Sequence, residues 1–264
     1  MACNEWRIWA TRPAAHNQAW IEQLQQLGFS VFALPLLAIK PLDDSASQQA
    51  IKNLVLDFDQ FQKVIFVSQN AVEHGFNWLH DYWPQLPTGI SYFAIGDKTA
   101  QALQAQGLKV QVASGMTSEA LLALETLTDV WGQKILICRG RGGLPKLGES
   151  LHQRGAMVRY LELYERLMPA DAEQQLHERL PSLPPNDLLV AFSGETLHNL
   201  VTLFHNYPSP PWNNPLLVPG KRVEELARQL GFKQVICAAN ACEQAMLDSL
   251  RQFCNSHQPQ GSPL

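Results

Sequence analysis

Arginine and glycine alternate in Arg139-Gly140-Arg141-Gly142-Gly143, directly after the apolar run Lys134–Cys138. Glycines at such a junction let backbone N–H groups approach a ligand, and the helix N-terminus that follows favours an anion. The loop is no P-loop, since no Gly-Lys-Ser/Thr follows, and Pro145 stands where a dinucleotide fingerprint needs its last glycine. A plain tight turn and an anion site both remain open for it. Ser68-Gln69-Asn70 follows Lys63–Val67, and Ser193-Gly194-Glu195 follows Asp187–Phe192. Each serine stands where a strand gives way to a helix, which is where a hydroxyl caps the first N–H groups. Two such serines at equivalent points could also form one rim of a cleft, because ligands bind beyond the carboxyl ends of parallel strands. Lys98 and Thr99 follow Gly96, and Lys221 and Arg222 follow Gly220, each in the first turn of a helical pattern. A cation there opposes the helix macrodipole at a cost of up to ~1 kcal/mol, unless it leans into solvent or faces an anionic ligand. Tyr164, at the end of the strand-like Val158–Leu163, reads by itself as an amphipathic residue at the edge of a core.

Other chemistry is excluded by spacing. Neither serine lies in a Gly-x-Ser-x-Gly elbow, and no His/Asp partner is evident, which argues against a hydrolase triad. The five cysteines (Cys3, Cys138, Cys237, Cys242, Cys254) include no Cys-x-x-Cys pair, and the eight histidines form no His-x-x-x-His. Free thiols in a reducing compartment and no metal site are expected.

The elements that must hold these residues alternate along the chain. Arg7–Ala10, Lys63–Val67, Ser91–Ile95, Lys134–Cys138, Asp187–Phe192 and Leu216–Val218 read as strands. Ala14–Leu27 and Val72–Trp83 are amphipathic helices, with Trp20, Leu24 and Leu27 on one face of the first and Val72, Phe76, Leu79 and Trp83 on one face of the second. This alternation predicts parallel sheets covered by helices. Gly28, Gly107, Gly155 and Gly231 each follow a helical pattern and precede a strand, the position of a left-handed C-terminal residue.

The glycines also expose a repeat. Gly28 lies 16 positions after Arg12, and Gly155 lies 16 after Arg139. Gly96 to Gly107 and Gly220 to Gly231 are 11 residues each, and Glu119 and Glu243 lie 12 further on. Similar α/β unit lengths alone can produce one such match, but three in order point to duplication. The units run A (1–37), B (45–126), A′ (131–165) and B′ (170–252). Spacing does not decide whether A pairs with B or with B′.

Bulk properties limit the function class. The 264 residues suit two ordinary domains, with 46% apolar and 17% charged residues. A net charge of −4 argues against a nonspecific nucleic-acid binder. No apolar run reaches the roughly 18 residues that span a bilayer. Met1–Arg7 lacks the basic-then-apolar order of a signal peptide, so a cytoplasmic protein is expected. The tail 255–264 should be disordered, and Pro208–Pro215 should be a surface loop.

Taken together, the chain resembles the uroporphyrinogen-III synthase family over about residues 6–252. The resemblance rests on Thr11-Arg12-Pro13, Phe66–Val72, Ala94–Ala100, Ser118–Leu122, Ile135–Gly143, Arg154-Gly155-Ala156 through Tyr164-Glu165-Arg166, Ser193-Gly194-Glu195, Val218-Pro219 and Glu225–Gly231. Each match is weak singly, and their order is specific. Val67 and Phe192 stand where the family often has threonine, and Gly220 where serine is usual, so these positions offer less side-chain hydrogen bonding.

The resemblance implies two similar α/β domains, each a parallel sheet flanked by helices, with the active-site cleft between them. Domain 1 would comprise 1–36 plus 168–254 and domain 2 would comprise 42–163, joined by a two-stranded hinge at 37–41 and 164–167. The implied reaction cyclises hydroxymethylbilane, a linear tetrapyrrole with eight carboxylates, to uroporphyrinogen III. Loss of the hydroxyl leaves an electrophilic azafulvene. Attack by the substituted carbon of the last ring gives a spiro intermediate, which fragments and recloses with that ring inverted. Arg12, Ser68, Asn70, Gly96, Thr99, Arg139, Gly140, Ser193 and Gly194 are the implied substrate contacts. Tyr164 matches the family tyrosine proposed to assist hydroxyl departure, a task suited to a phenolic donor. No cofactor or metal is implied, and a monomer with at most transient contact to the preceding pathway enzyme is expected. Two other readings stay open: a two-lobed, non-enzymatic binder of a small polyanion, and a nucleotide-dependent oxidoreductase, which the incomplete fingerprint disfavours.

Overall fold

The computed structural model describes residues 5–113, 117–143, 145–179, 184, 186–205 and 210–257. Its first elements are β1 (Arg7–Ala10), α1 (Ala14–Gln26), β2 (Ser30–Ala33), β3 (Ala38–Pro41), α2 (Ser45–Leu56), β4 (Lys63–Phe66) and α3 (Gln69–Tyr82). There follow β5 (Ser91–Ala94), α4 (Asp97–Ala105), β6 (Val110–Val112), α5 (Ser118–Leu122), β7 (Lys134–Gly140), α6 (Lys146–Gln153) and β8 (Met157–Leu167). The last are α7 (Ala172–Arg179), β9 (Asp187–Val190), α8 (Gly194–Phe204), β10 (Leu216–Pro219), α9 (Gly220–Gln229), β11 (Val235–Ala238) and α10 (Glu243–Ser256). The chain divides into two compact units, Met1–Ala38 with Leu167–Leu264, and Ile39–Arg166.

The first unit holds a sheet of order β11-β10-β9-β1-β2. Its pairs are parallel, with Arg7 opposite Ser30 and Asp187. Successive residues of β1 point to opposite faces, as strand geometry requires. Trp9 therefore joins a core with Leu197, Leu200 and Val223, from α8 and α9. Ile8 and Ala10 join a second core with Trp20, Leu24, Met246 and Leu250, from α1 and α10. Helices thus cover both faces, and each fully buried leucine or isoleucine contributes about 1.5–3 kcal/mol.

In the second unit the sheet order is β3-β8-β7-β4-β5-β6. Val64, Phe66, Leu136 and Cys138 face α2, α3 and α4, while Ile65, Ile135 and Ile137 face α5 and α6. Without β3, the order β6-β5-β4-β7-β8 repeats that of the first unit strand for strand. Unit A of the sequence repeat pairs with B′ through β1 and β9, and A′ pairs with B through β7 and β4.

Gly28, Gly107, Gly155 and Gly231 have φ of +83°, +80°, +84° and +104° at helix ends, the left-handed conformation that their position calls for. The strands read from the sequence (β1, β4, β5, β7, β9, β10) are all interior to their sheets. Those not in that set, apart from β8, are the edge strands β2, β3, β6 and β11. Their burial is patchy: all three β6 residues are half-buried, whereas every residue of β9 is buried. β8 is longer than the expected Val158–Leu163, running unbroken past Tyr164 to Leu167. A bulge between Arg139 and Gly140 pairs Gly140 with Tyr164, and the Arg141 N–H then donates to the Tyr164 carbonyl at 2.7 Å. α10 extends to Ser256, two residues into the expected tail, while 258–264 and Pro208–Ser209 lie outside the described residues.

Candidate functional site

In the second unit, three sequence-derived candidates converge at the carboxyl ends of β4, β7 and β8. Ser68 caps α3, its Oγ accepting the Ala71 N–H at 3.1 Å. The same oxygen lies 2.8 Å from the Tyr164 hydroxyl. The Tyr164 ring packs against Gly140, where an added Cβ would stand 2.6 Å from the ring. Only a residue without a side chain permits that approach. His74, one turn further along α3 from Asn70, presents its ring to Tyr164 at 5.5 Å between centroids and 37° between planes. Tyr164 itself is 3% exposed. Asn70, the second residue of α3, is half-buried beside the capped turn.

Arg139 is committed to the protein. Its Nη2 and Nε reach Glu162 Oε1 at 2.9 and 3.2 Å, and Nη1 donates to the Gly143 carbonyl at 3.0 Å. The guanidinium carbon stands 3.8 Å from the centroid of Tyr160. This engagement fixes the glycine loop. Arg141 is more exposed and faces Asp44 at 3.4 Å and Glu165 at 3.7 Å. Hydrogen bonds from the Ser47 hydroxyl and N–H hold the Asp44 carboxyl below its usual range. Backbone groups of the loop are engaged as well, the Arg141 N–H with the Tyr164 carbonyl at 2.7 Å and the Gly143 N–H with the Gly140 carbonyl at 3.3 Å. Cys138, on β7, is sealed in the core, and burial pushes its thiol up, away from the nucleophilic thiolate.

The first unit repeats the layout with different side chains. Ser193 caps α8, accepting the Thr196 N–H at 3.1 Å, and its hydroxyl lies 3.0 Å from Thr196 Oγ1. Gly194 opens the helix, with an added Cβ only in ordinary contact with Leu226. Arg12 pairs with Glu243 and stands 4.7 Å over the Phe192 ring. A groove of about 370 Å³ opens at the carboxyl ends of β9 and β10, lined by Phe192, Ser193, Gly220, Lys221, Arg222 and Asn240 among others. Lys221 and Arg222, weighed from the sequence as first-turn cations, both face solvent there. Phe192 is a position that the family resemblance marks, whereas Asn240 carried no signal as a lining residue, since loop residues follow no periodicity.

α4 and α9 occupy equivalent places in the two units and begin alike. Gly96 precedes α4 with φ +84°, Gly220 opens α9 with φ +69°, and neither helix has a side-chain cap. Neither helix start is closed by a side-chain cap, and the positive end of each dipole suits an anion. Thr99, in the first turn of α4, is 4% exposed and packs inward. Among the described residues, no three His, Cys, Asp or Glu side chains gather as metal ligands would. Nor is any helix among them long and apolar enough to cross a membrane.

Comparison with known proteins bears on this geometry. The family model described as uroporphyrinogen-III synthase HemD matches residues 18–248. The chain is 32% identical over 256 residues to the uroporphyrinogen-III synthase of Escherichia coli strain K12, spanning 92% of this chain and 99% of the relative. The uroporphyrinogen-III synthase of Salmonella typhimurium strain LT2 is 32% identical over 258 residues, with 92% and 99% covered. Among solved structures, a mutant uroporphyrinogen III synthase from Thermus thermophilus is similar with TM-score 0.62 at 18% identity, covering 95% of this chain and 99% of that one. The uroporphyrinogen-III synthetase of Helicobacter pylori 26695 is similar with TM-score 0.58 at 17% identity, covering 94% and 99%. At those identities the structures speak for the fold alone: α/β, with helix-flanked parallel sheets.

Proposed function

Because the chain belongs to the uroporphyrinogen-III synthase family, lyases of tetrapyrrole biosynthesis, we propose that it converts hydroxymethylbilane to uroporphyrinogen III with loss of water. One observation carries the reading. Both units set a serine-capped helix beside a glycine-led, uncapped helix at the carboxyl end of a parallel sheet. Repeated backbone N–H groups of this kind can hold several carboxylates, which explains how a chain of net charge −4 takes a polyanion. In the first unit, Lys221 and Arg222 add exposed positive charge to the groove. The helix starts at Gly96 and Gly194 contribute N–H groups, and Gly140 makes room for the Tyr164 ring. Ser68 and Ser193 cap the helix starts that aim those groups, and Asn70 and Thr99 lie in the first turns of α3 and α4. Arg12 and Arg139, held by Glu243 and Glu162, keep the flanking loops in shape.

Tyr164 supplies the chemical step in this reading. Its phenol donates a proton to the departing hydroxyl while the pyrrole nitrogen pushes electrons outward, and the C–O bond breaks to release water. The azafulvene then meets the substituted carbon of the last ring. The spiro intermediate fragments and recloses, and the proton lost from that ring's free α carbon restores the phenol. Each tenfold preference over uninverted closure requires about 1.4 kcal/mol of differential transition-state stabilisation. The reading includes substrate enclosure between the two units, with 37–41 and 164–167 as a hinge. It also includes a cytoplasmic monomer without cofactor or metal, in transient contact with the enzyme that makes its substrate.

The burial of Tyr164 favours a second reading, in which the protein binds a polyanion without turning it over. Incubating the protein with hydroxymethylbilane and resolving the products separates the two. Uroporphyrinogen III in excess of spontaneous isomer I is expected. Tight binding with only isomer I would leave the binder.

A further inference from the structure

The two capping serines differ in what remains for the hydroxyl after capping. A serine hydroxyl has one proton to donate and two lone pairs. Ser193 meets Thr196 twice, accepting its N–H and sharing a hydrogen bond with its hydroxyl, so both of these partners lie within the first turn of α8. In α3 the equivalent residue is Ala71, which offers an N–H and no hydroxyl. The remaining capacity of Ser68 goes instead to Tyr164, 2.8 Å away and 96 positions distant in sequence. Capping alone needs no such partner, since α8 is capped equally well without one.

The tyrosine is held from other sides as well. Gly140 lies against its ring, His74 packs at 5.5 Å, and its carbonyl accepts the Arg141 N–H at 2.7 Å. Ser68 in turn is locked by the Ala71 N–H, with extended backbone at φ −162° and ψ 162°. Two fixed hydroxyls therefore share one hydrogen bond, and its direction decides which proton is spare. If Tyr164 donated to Ser68, the phenol would have no proton left for a ligand.

We propose that Ser68 is a positioning residue, its hydroxyl donating to the Tyr164 oxygen so that the phenol proton is free for the departing hydroxyl of the substrate. The inference rests on the reading of Tyr164 as the proton donor. The same Ser68 O–H then faces the negative charge that develops on the phenol oxygen as its proton leaves, the point at which a preorganised donor counts most. No other reactant is needed. The Tyr164 proton passes to the leaving oxygen, the C–O bond breaks, water departs, and the proton released at ring closure returns to the phenolate.

The test compares Ser68→Gly, Ser68→Thr, Tyr164→Phe and the Ser68→Gly/Tyr164→Phe pair, using hydroxymethylbilane as substrate. Glycine replaces a capping serine at little cost to the helix, so Ser68→Gly remains folded. The expected result is a roughly tenfold fall in kcat for Ser68→Gly, with KM unchanged and a larger share of isomer I. Ser68→Thr, which keeps the hydroxyl, should stay within about threefold of the parent. The pair should be no slower than Tyr164→Phe alone. A higher KM with unchanged kcat in Ser68→Gly would make Ser68 a substrate contact and overturn the inference. So would losses that multiply in the pair, or a Ser68→Thr variant as slow as Ser68→Gly. An unimpaired Tyr164→Phe would instead overturn the underlying reading of the tyrosine.

Discussion

Gly140 and Tyr164 face each other across β7 and β8, so close that one added carbon on Gly140 would stand 2.6 Å from the tyrosine ring. The pairing is possible because a bulge shifts the register between Arg139 and Gly140. Glycine here is required by contact, since its φ is not in the left-handed region. A glycine in the sequence motif and a tyrosine 24 positions later thus form one feature of the site.

Gly140→Ala should therefore displace the Tyr164 ring and break its bond to Ser68. Overpacking of this kind costs about 1–3 kcal/mol. Thermal melting should show the loss, and product analysis should show slower formation of isomer III. A variant with the parent's melting point and isomer ratio would contradict the contact.

Arg139→Ala should act chiefly on stability. The side chain is 13% exposed and links Glu162, the Gly143 carbonyl and the Tyr160 ring. Losing these partly buried bonds should cost about 1–3 kcal/mol, visible as a lower urea midpoint with an unchanged slope. Arg139→Lys should recover little, because an ammonium cannot supply the planar fork and the stacking together.

Replacing both Lys221 and Arg222 with Ala should raise KM about three- to tenfold while leaving kcat and the melting point nearly unchanged. Both side chains are exposed at the groove, and neither belongs to the apolar cores of its unit. Exposed charges act over about 10 Å at 0.1 M salt, so the parent's KM should rise with salt and the variant's should rise less. Equal salt dependence in the two would remove these cations from anion capture.

Asp187→Ala should destabilise the first unit most. The carboxylate is fully buried, accepts Arg7 Nε and Nη2 at 2.7 Å each, and takes the Trp9 indole N–H at 3.0 Å. Breaking a buried pair from one side strands the other charge and costs about 3–5 kcal/mol. Chemical denaturation should report it, and a loss under about 1 kcal/mol would mean that Arg7 relaxes into water.

The amino-acid sequence by itself determined the interior of each sheet and the helix ends. Ile8, Trp9 and Ala10, or the apolar residues of Lys134–Cys138, are buried on both faces, so their pattern is continuous and strong. Gly28 and Gly231 punctuate because a left-handed backbone admits few other residues. The capping serines were legible for the same local reason: Ser68 and Ser193 act on an N–H three positions away. Edge strands such as β2 and β6 were not, because a strand with one neighbour is only partly covered and leaves a diluted apolar signal. Only the tertiary structure decided that Arg139 is spent on Glu162 and that the spare hydroxyl of Ser68 meets Tyr164. Those partners come from different strands and helices, and nothing in local spacing records which side chain a parallel sheet will bring beside another.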